Sequence, residues 1–318
     1  MLRGCFLDLV LGEPPNRWHP VCWLGKAVDL ADWVAPGRER GCRTQRLSGA
    51  ATALLFPAGT FLLTRKFLRA LPRPFADLAE VALISTTVAA RSLFEHAGRV
   101  EDGLMLGLEE GRREAGKMVG RDTDSLDEAA VIRAAVESVA ENANDGVIAP
   151  LFYGLIGGAP LALAYKMVNT LDSMLGYRSE QYLFFGWMSA RLDDAAGYIP
   201  ARLTALSAVV LSPLVGGSAS GAIAVWRRDA WLHDSPNAGV CESAYAGALG
   251  VCLGGTSTYD GKPVDKPLIG AGQRPPEVQD IDRAARLMVA SAGLVLALGE
   301  LLRMNVALIR FITGRRRK

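Results

Sequence analysis

Residues Arg121–Arg202 read RDTDSLDEAAVIRAAVESVAENANDGVIAPLFYGLIGGAPLALAYKMVNTLDSMLGYRSEQYLFFGWMSARLDDAAGYIPAR, and this stretch decides the fold. Polar groups stand at both ends of an apolar segment that is interrupted by glycine and proline. Gly146–Tyr165 carries no charge, about the length a helix needs to cross a bilayer. It also contains Gly154, Gly157, Gly158 and Pro160. Proline inside a helix removes a hydrogen bond and clashes with the preceding turn. Broken helices at membrane depth are tolerated where they line protein or a cavity. The expectation is that 147–171 is two half-helices meeting near Gly157–Pro160, so that the polar groups on either side share one membrane face.

Outside this stretch the composition agrees with a membrane protein. Half of the 318 residues are hydrophobic, 21% are charged, and mean hydropathy is +0.19. Further apolar segments fall at about 47–64, 78–97, 203–226 and 287–312. The segment 78–97 is the poorest, since it holds Glu80, Arg91 and Glu95. Pro213 and Gly216-Gly217 mark a second break within 203–226. The polar segments 98–146, 166–202 and 227–286 alternate with them in one membrane-embedded domain spanning 1–318. The fold class is therefore all-α: a polytopic helical membrane protein with broken or re-entrant helices and polar cytoplasmic segments. Near the N-terminus, Glu13–Pro20 is loop chemistry, with His19-Pro20 fixing a turn, and an amphipathic helix follows over Val21–Val34. Ser125-Leu-Asp-Glu128 fits a capping box, opening a helix to Asp145 with Gly146 as its stop.

A net charge of +2, with no basic stripe interleaved with aromatics, argues against nucleic acid. The basic tail Arg315–Lys318 reads as an anchor on anionic cytoplasmic lipid. Five cysteines without a CxxC pair fit reduced thiols, and the early Asp8 and Glu13 argue against a cleaved signal peptide.

The chemistry lies in the polar clusters. On a helix, residues four apart share a face, so Arg133, Glu137 and Glu141 stack, with Asn144 and Asp145 one turn on. A lone acidic pair at that spacing is commonly a solvated face. Three polar clusters bracketing one apolar segment are harder to dismiss. Oxygen ligands without His or Cys suit Mg²⁺, usually bound by one or two carboxylates plus substrate phosphates. Glu137, Glu141, Asp145, Asp172 and Asp194 form the candidate metal set. With Lys166 and Asp193 they form the candidate catalytic set. Arg133, Lys166, Arg191 and Arg202 suit phosphate oxygens. Asn142, Asn144 and Asn169 orient ligands, while His233, Ser235 and Asn237 sit in a polar loop suited to an anion or amide. There is no GxxxxGK[ST] motif, and Gly254-Gly255-Thr256-Ser257 is a weak phosphate-loop candidate. Lys262 and Lys266 flank a proline loop as solvated lysines.

Three blocks carry a resemblance: ESVAENANDGVIAPLFY, GGAPLALAYKMVNTLDSMLGY and FGWMSARLDDAAGYIPARLTA. DLVLGEPPNRWHPVCWLGK, ARSLFEHAGRV, HDSPNAGVCESAYAGALGVCLGG and YDGKPVDKPLIG extend it over nearly the whole chain. Together they resemble the adenosylcobinamide-phosphate synthase family of cobalamin biosynthesis (the CobD/CbiB family). Glu13 stands where that family usually has Asp, and Cys241 where a Pro commonly precedes the Glu, here Glu242. The resemblance implies a multi-pass inner-membrane enzyme with its site on the cytoplasmic face. It implies an amide bond between adenosylcobyric acid and (R)-1-aminopropan-2-ol or its O-phosphate, with ATP and Mg²⁺ as cosubstrate and metal. The corrinoid is then substrate rather than prosthetic group, and contact with later corrinoid-pathway membrane enzymes is expected. A transporter and a non-catalytic scaffold for those enzymes are the alternatives.

Overall fold

The computed structural model describes residues 1–34, 41–176, 179, 182–259 and 261–315. Of the basic tail, Arg316–Lys318 lie outside the described residues. The protein is an all-α polytopic membrane protein with one small hairpin of strands. Among the described residues, four helical stretches are long and apolar enough to cross a membrane: Cys42–Ala70, Glu128–Leu175, Trp187–Val215 and Gln279–Val306. The chain forms two compact units, one of 1–88, 149–196 and 293–318, the other of 89–148 and 197–292.

The first unit contains α1 (Leu2–Leu11), α2 (Pro20–Val34), α3 (Cys42–Ala70) and α4 (Arg73–Ser85). α3 buries only a narrow stripe, Gln45, Gly49, Ala53 and Pro57, at four-residue spacing. Leu54, Leu55, Leu62 and Leu63 on its other faces are exposed, as lipid-facing side chains are. Gly49 lets the Phe185 carbonyl approach so closely that a Cβ would sit 1.9 Å from its oxygen. Val28, Met167, Leu171, Leu175 and Phe185 form the core of this unit. His19 fixes the turn into α2, its Nδ1 accepting the Val21 N–H at 3.2 Å.

The expected break is present. Gly158 interrupts the stretch Ala149–Leu175 (α8) with φ +67° and ψ −162°. A straight helix would separate residues 153 and 165 by about 18 Å at 1.5 Å per residue. Instead the Tyr153 and Tyr165 rings stack with centroids 5.1 Å apart. A Cβ on Gly154 would lie 3.7 Å from that of Ala162. The two halves thus fold back on one another as a hairpin. Glu80 of α4 caps the second half, its Oε1 accepting the Ala159 N–H at 3.4 Å.

The second unit contains α5 (Ala90–Leu106), α6 (Leu108–Ala115), α7 (Glu128–Asn142), α10 (Ala219–Asp229), α11 (Ala238–Leu249) and the antiparallel strands β1 (Leu253–Tyr259) and β2 (Lys262–Ile269). α9 (Trp187–Leu211) and α12 (Gln279–Arg315) each contribute part of their length to both units.

Several boundaries differ from those expected. Asp127 rather than Ser125 caps α7, accepting the Ala130 N–H at 2.8 Å. Gly146 does not end the helix, because Ala143–Ile148 continues it as π turns. The wider turn frees the Gly146 carbonyl, which accepts from Ala89 N–H at 2.9 Å. Segment 78–97 is not one helix, since α4 stops at Ser85 and α5 starts at Ala90. There Ser85, Thr86 and Thr87 turn their hydroxyls onto the carbonyls of Ala82, Leu83 and Ile84. In segment 203–226 the expected break at Pro213–Gly216 is present, as Ser212–Val215 with left-handed Gly216, but the helix leading into it starts earlier, at Trp187. Finally, segment 227–286 was expected to be polar throughout, yet it contains α11, in which every residue is buried.

Candidate functional site

In the second unit a charged cluster is built around α7 and α11. Glu137, only 2% exposed, accepts from Arg121 Nη2 at 2.5 Å on Oε2 and from Gly254 N–H at 2.7 Å on Oε1. Arg121 Nη1 also donates to Ser257 Oγ at 3.1 Å. Both carboxylate oxygens are thus engaged, and Glu137 ties α7 to β1. Arg133, one turn before it and placed by spacing to serve Glu137 or Glu141, pairs with neither: its buried Nε has no acceptor.

Glu242 of α11 is buried beside Glu137 and Glu141. Burial first, and then these two carboxylates, hold its carboxyl well above the usual range. His233 Nε2 lies 3.8 Å from Glu242 Oε1. His233 Nδ1 accepts the Ser235 N–H at 2.9 Å, which leaves the proton on Nε2. Burial, reinforced by Lys266, pulls its pKa below the ordinary value and keeps it neutral. Cys241 is wholly buried, and burial pushes its thiol up as well. This thiol is inert packing.

A second group of residues lies beside the first in the same unit. Arg202 Nη1 donates to Asn237 Oδ1 at 3.0 Å, and its guanidinium stacks 3.5 Å over the Tyr198 ring. Asn144 Nδ2 donates to Asp145 Oδ1 at 2.6 Å. Gly197 makes room for both amides: a Cβ there would stand 2.6 Å from Asn237 Nδ2 and 3.6 Å from Asn144 Nδ2. Asn142 donates back to Ser138 O at 2.9 Å, and Glu141 is exposed. Ser235 Oγ accepts from the Asn237 and Ala238 N–H groups at the start of α11, so it serves as a cap.

The first unit holds its own cluster. Lys166 Nζ donates to Asn169 Oδ1 at 3.3 Å, and Asn169 Nδ2 to Asp193 Oδ1 at 3.5 Å, linking α8 to α9. Asp193 is buried, Asp172 and Asp194 are half-buried, and Arg191 is exposed. His19 is buried close to Lys166, and its Nε2 has no partner.

A family model described as "CobD/Cbib protein" matches residues 1–288. The chain belongs to the CobD/CbiB family. It is 47% identical over 304 residues to the "Cobalamin biosynthesis protein CobD" of Geobacter metallireducens, covering 94% of each chain. It is 43% identical over 296 residues to the "Cobalamin biosynthesis protein CbiB" of Salmonella typhimurium, covering 92% of this chain and 93% of that one. No solved structure matches.

For this CobD/CbiB member, three residues enter the cluster that the sequence had not singled out as functional: Arg121, Glu242 and Lys266. Glu242 carried a signal, being the lone charge in the apolar run AGVCESAYAGAL of α11. A fully buried carboxylic acid in such a run is a functional candidate. Among the described residues, no group of three or more His, Cys, Asp or Glu side chains is arranged to hold a metal.

Proposed function

We propose that this protein, with a role in cobalamin biosynthesis, forms an amide between adenosylcobyric acid and (R)-1-aminopropan-2-ol or its O-phosphate at the expense of ATP. The observation that carries the reading is the buried cluster of ionisable side chains, Arg121, Glu137, Glu242 and His233, within a chain of this family. Burying such groups is costly and packing alone does not require it.

A carboxylate does not accept an amine at neutral pH, so it is activated first. A corrinoid carboxylate oxygen attacks the γ-phosphorus of ATP, ADP leaves, and an acyl phosphate forms. The amine nitrogen then adds to the acyl carbon and inorganic phosphate leaves. The two surplus protons of the ammonium pass to solvent through a carboxylate base. Glu141 and Asp145, and in the first unit Asp172, Asp193 and Asp194, are the carboxylates suited to that role. Glu137 leaves this pool because its oxygens already accept from Arg121 and Gly254. Lys166, Arg191 and Arg202 remain candidate phosphate contacts, with Asn142, Asn144, Asn169 and Asn237 as orienting amides. Magnesium, usually held by one or two carboxylates plus substrate phosphates, enters with ATP as part of the substrate.

Purified protein is incubated with ATP, Mg²⁺, adenosylcobyric acid and aminopropanol phosphate, and the corrinoid product is weighed by mass spectrometry. A product heavier by the amide-linked amine, with ADP released in equal amount, is expected. Unchanged corrinoid would refute the ligase and leave the transporter or scaffold standing.

A further inference from the structure

Two cations in the second unit lack what their neighbour Arg121 has. Arg121 spends its guanidinium on Glu137 and Ser257. Arg133 is partly buried, and its buried Nε finds no acceptor. A buried donor left without an acceptor bears the full cost of its desolvation. Lys266 makes no hydrogen bond or ion pair among the described residues, and its Nζ sits 5.8 Å from the Tyr259 ring centroid.

Both converge on one point of the hairpin. Lys266 is the cross-strand partner of Gly255, next to a β-bulge between Leu253 and Gly255. Gly254 and Gly255 have φ of +87° and +90°; Gly254 is buried with its N–H on Glu137 and its Cα against the Pro267 carbonyl, while Gly255 is partly exposed. A Cβ built on Gly255 would lie 4.0 Å from Arg133 Cζ, with nothing nearer than Leu268 at 3.8 Å. With no side chain on Gly255, the strand backbone there faces the unspent Arg133 guanidinium directly. The nearby carboxylates do not cancel this charge. Glu137 is bound to Arg121, burial holds Glu242 toward its neutral form, and Glu141 faces solvent.

We propose that Arg133 and Lys266, beside the Gly254–Gly255 bulge, form a phosphate subsite of this protein. The planar fork of Arg and the point charge of Lys together match the oxygens of a terminal phosphate. This deepens the ligase reading by giving one phosphate-bearing substrate a place. Two such substrates share the chemistry, the nucleotide and the amino-alcohol phosphate.

The full chain in detergent is titrated calorimetrically with Mg²⁺ and the non-hydrolysable ATP analogue AMP-PNP, and separately with 2-aminoethyl phosphate. The parent binds at least one probe. Arg133→Gln and Lys266→Met each weaken that probe tenfold or more, Lys266→Arg recovers part of the loss, and Lys262→Met at the exposed strand start has no effect. The probe that weakens identifies the source of the phosphate. Lys266 is half-exposed on the hairpin, so Lys266→Met decides the matter if Arg133→Gln does not fold. Parent-like affinity of Lys266→Met for both probes, or a parent that binds neither, overturns the subsite. The synthase assay is independent: product formation with unaltered probe binding sinks the subsite alone, and lost probe binding without any product sinks the ligase alone.

Discussion

Replacing Glu137 by Gln tests whether this carboxylate anchors the fold or serves a metal. Glu137 and Arg121 have side chains only 2% and 8% exposed, and they meet at 2.5 Å. Removing one partner of such a pair leaves a buried charge uncompensated, at a cost of about 3–5 kcal/mol. The amide keeps one oxygen, so either the Arg121 or the Gly254 contact survives, but not the charge balance. At about 2–4 °C per kcal/mol for a unit of this size, the unfolding midpoint falls by roughly 10 °C. Arg121→Leu alone costs a similar amount. Combining Glu137→Gln with Arg121→Leu removes the lone charge, and the double variant is expected to lie above either single one. Thermal unfolding of detergent-purified protein reads all four corners of the cycle. Because Glu137 holds β1 through Gly254, amide exchange in the hairpin rises in the Gln variant as well. A ligand carboxylate behaves in the opposite way, since replacing it relieves repulsion and leaves the midpoint unchanged or higher. If Glu137→Gln unfolds within about 1 kcal/mol of the parent, the anchoring role is wrong.

Gly158→Ala would force a Cβ onto φ of +67° and push aside the Glu80 carboxylate that accepts the Ala159 N–H, so a loss of about 1–2 kcal/mol is expected in the same unfolding assay. Gly59→Ala, in mid-helix with nothing within 4 Å, gains up to about 1 kcal/mol instead. For Glu242 the folded carboxyl is raised, so its stabilisation is present below about pH 4.5 and is lost as pH rises toward the folded value. Glu242→Gln mimics the protonated form, and its midpoint gains on the parent as pH rises above about 4.5; a constant difference would contradict the neutral acid. Asp172→Ala inserts and folds but gives no corrinoid product, and near-normal turnover removes Asp172 from the site.

The parts of the fold that were legible in the sequence are those where one residue type leaves the backbone few choices. Gly157, Gly158 and Pro160 announced the hairpin of α8 because a left-handed turn and a missing N–H cannot sit in a straight helix. The misread boundaries are places where local signals compete. Ser125 and Asp127 are both competent caps, and the helix start selected the second. Gly146 carries a stop signal, yet π turns pass through it because its carbonyl is claimed by Ala89. In α9 the absence of charge was a poor guide. Arg191, Asp193 and Asp194 lie within the helix, and Pro213 with Gly216 ends it well before the uncharged run does.

The candidate site shows the same division more sharply. Helical spacing stacked Glu137 with Arg133 and Glu141 and offered Arg133 to one of the two carboxylates, because four-residue spacing is the only pairing visible in one dimension. The actual donors are Arg121, 16 residues away, and the Gly254 N–H, 117 residues away. Distance along the chain is no disadvantage once folding has brought the groups together, and the enclosed Arg121 makes the stronger contact. The consequence reaches beyond Glu137. A helix surface carrying two basic neighbours and one buried carboxylate can compensate only one of them, and here it compensates Arg121. Arg133 is left with an unspent donor beside Gly255, which carries no side chain, and near the strand partner Lys266, which makes no hydrogen bond or ion pair among the described residues. A fold selected for stability alone would place an acceptor there or substitute an apolar side chain. Its retention is the reason to look for a ligand at the bulge.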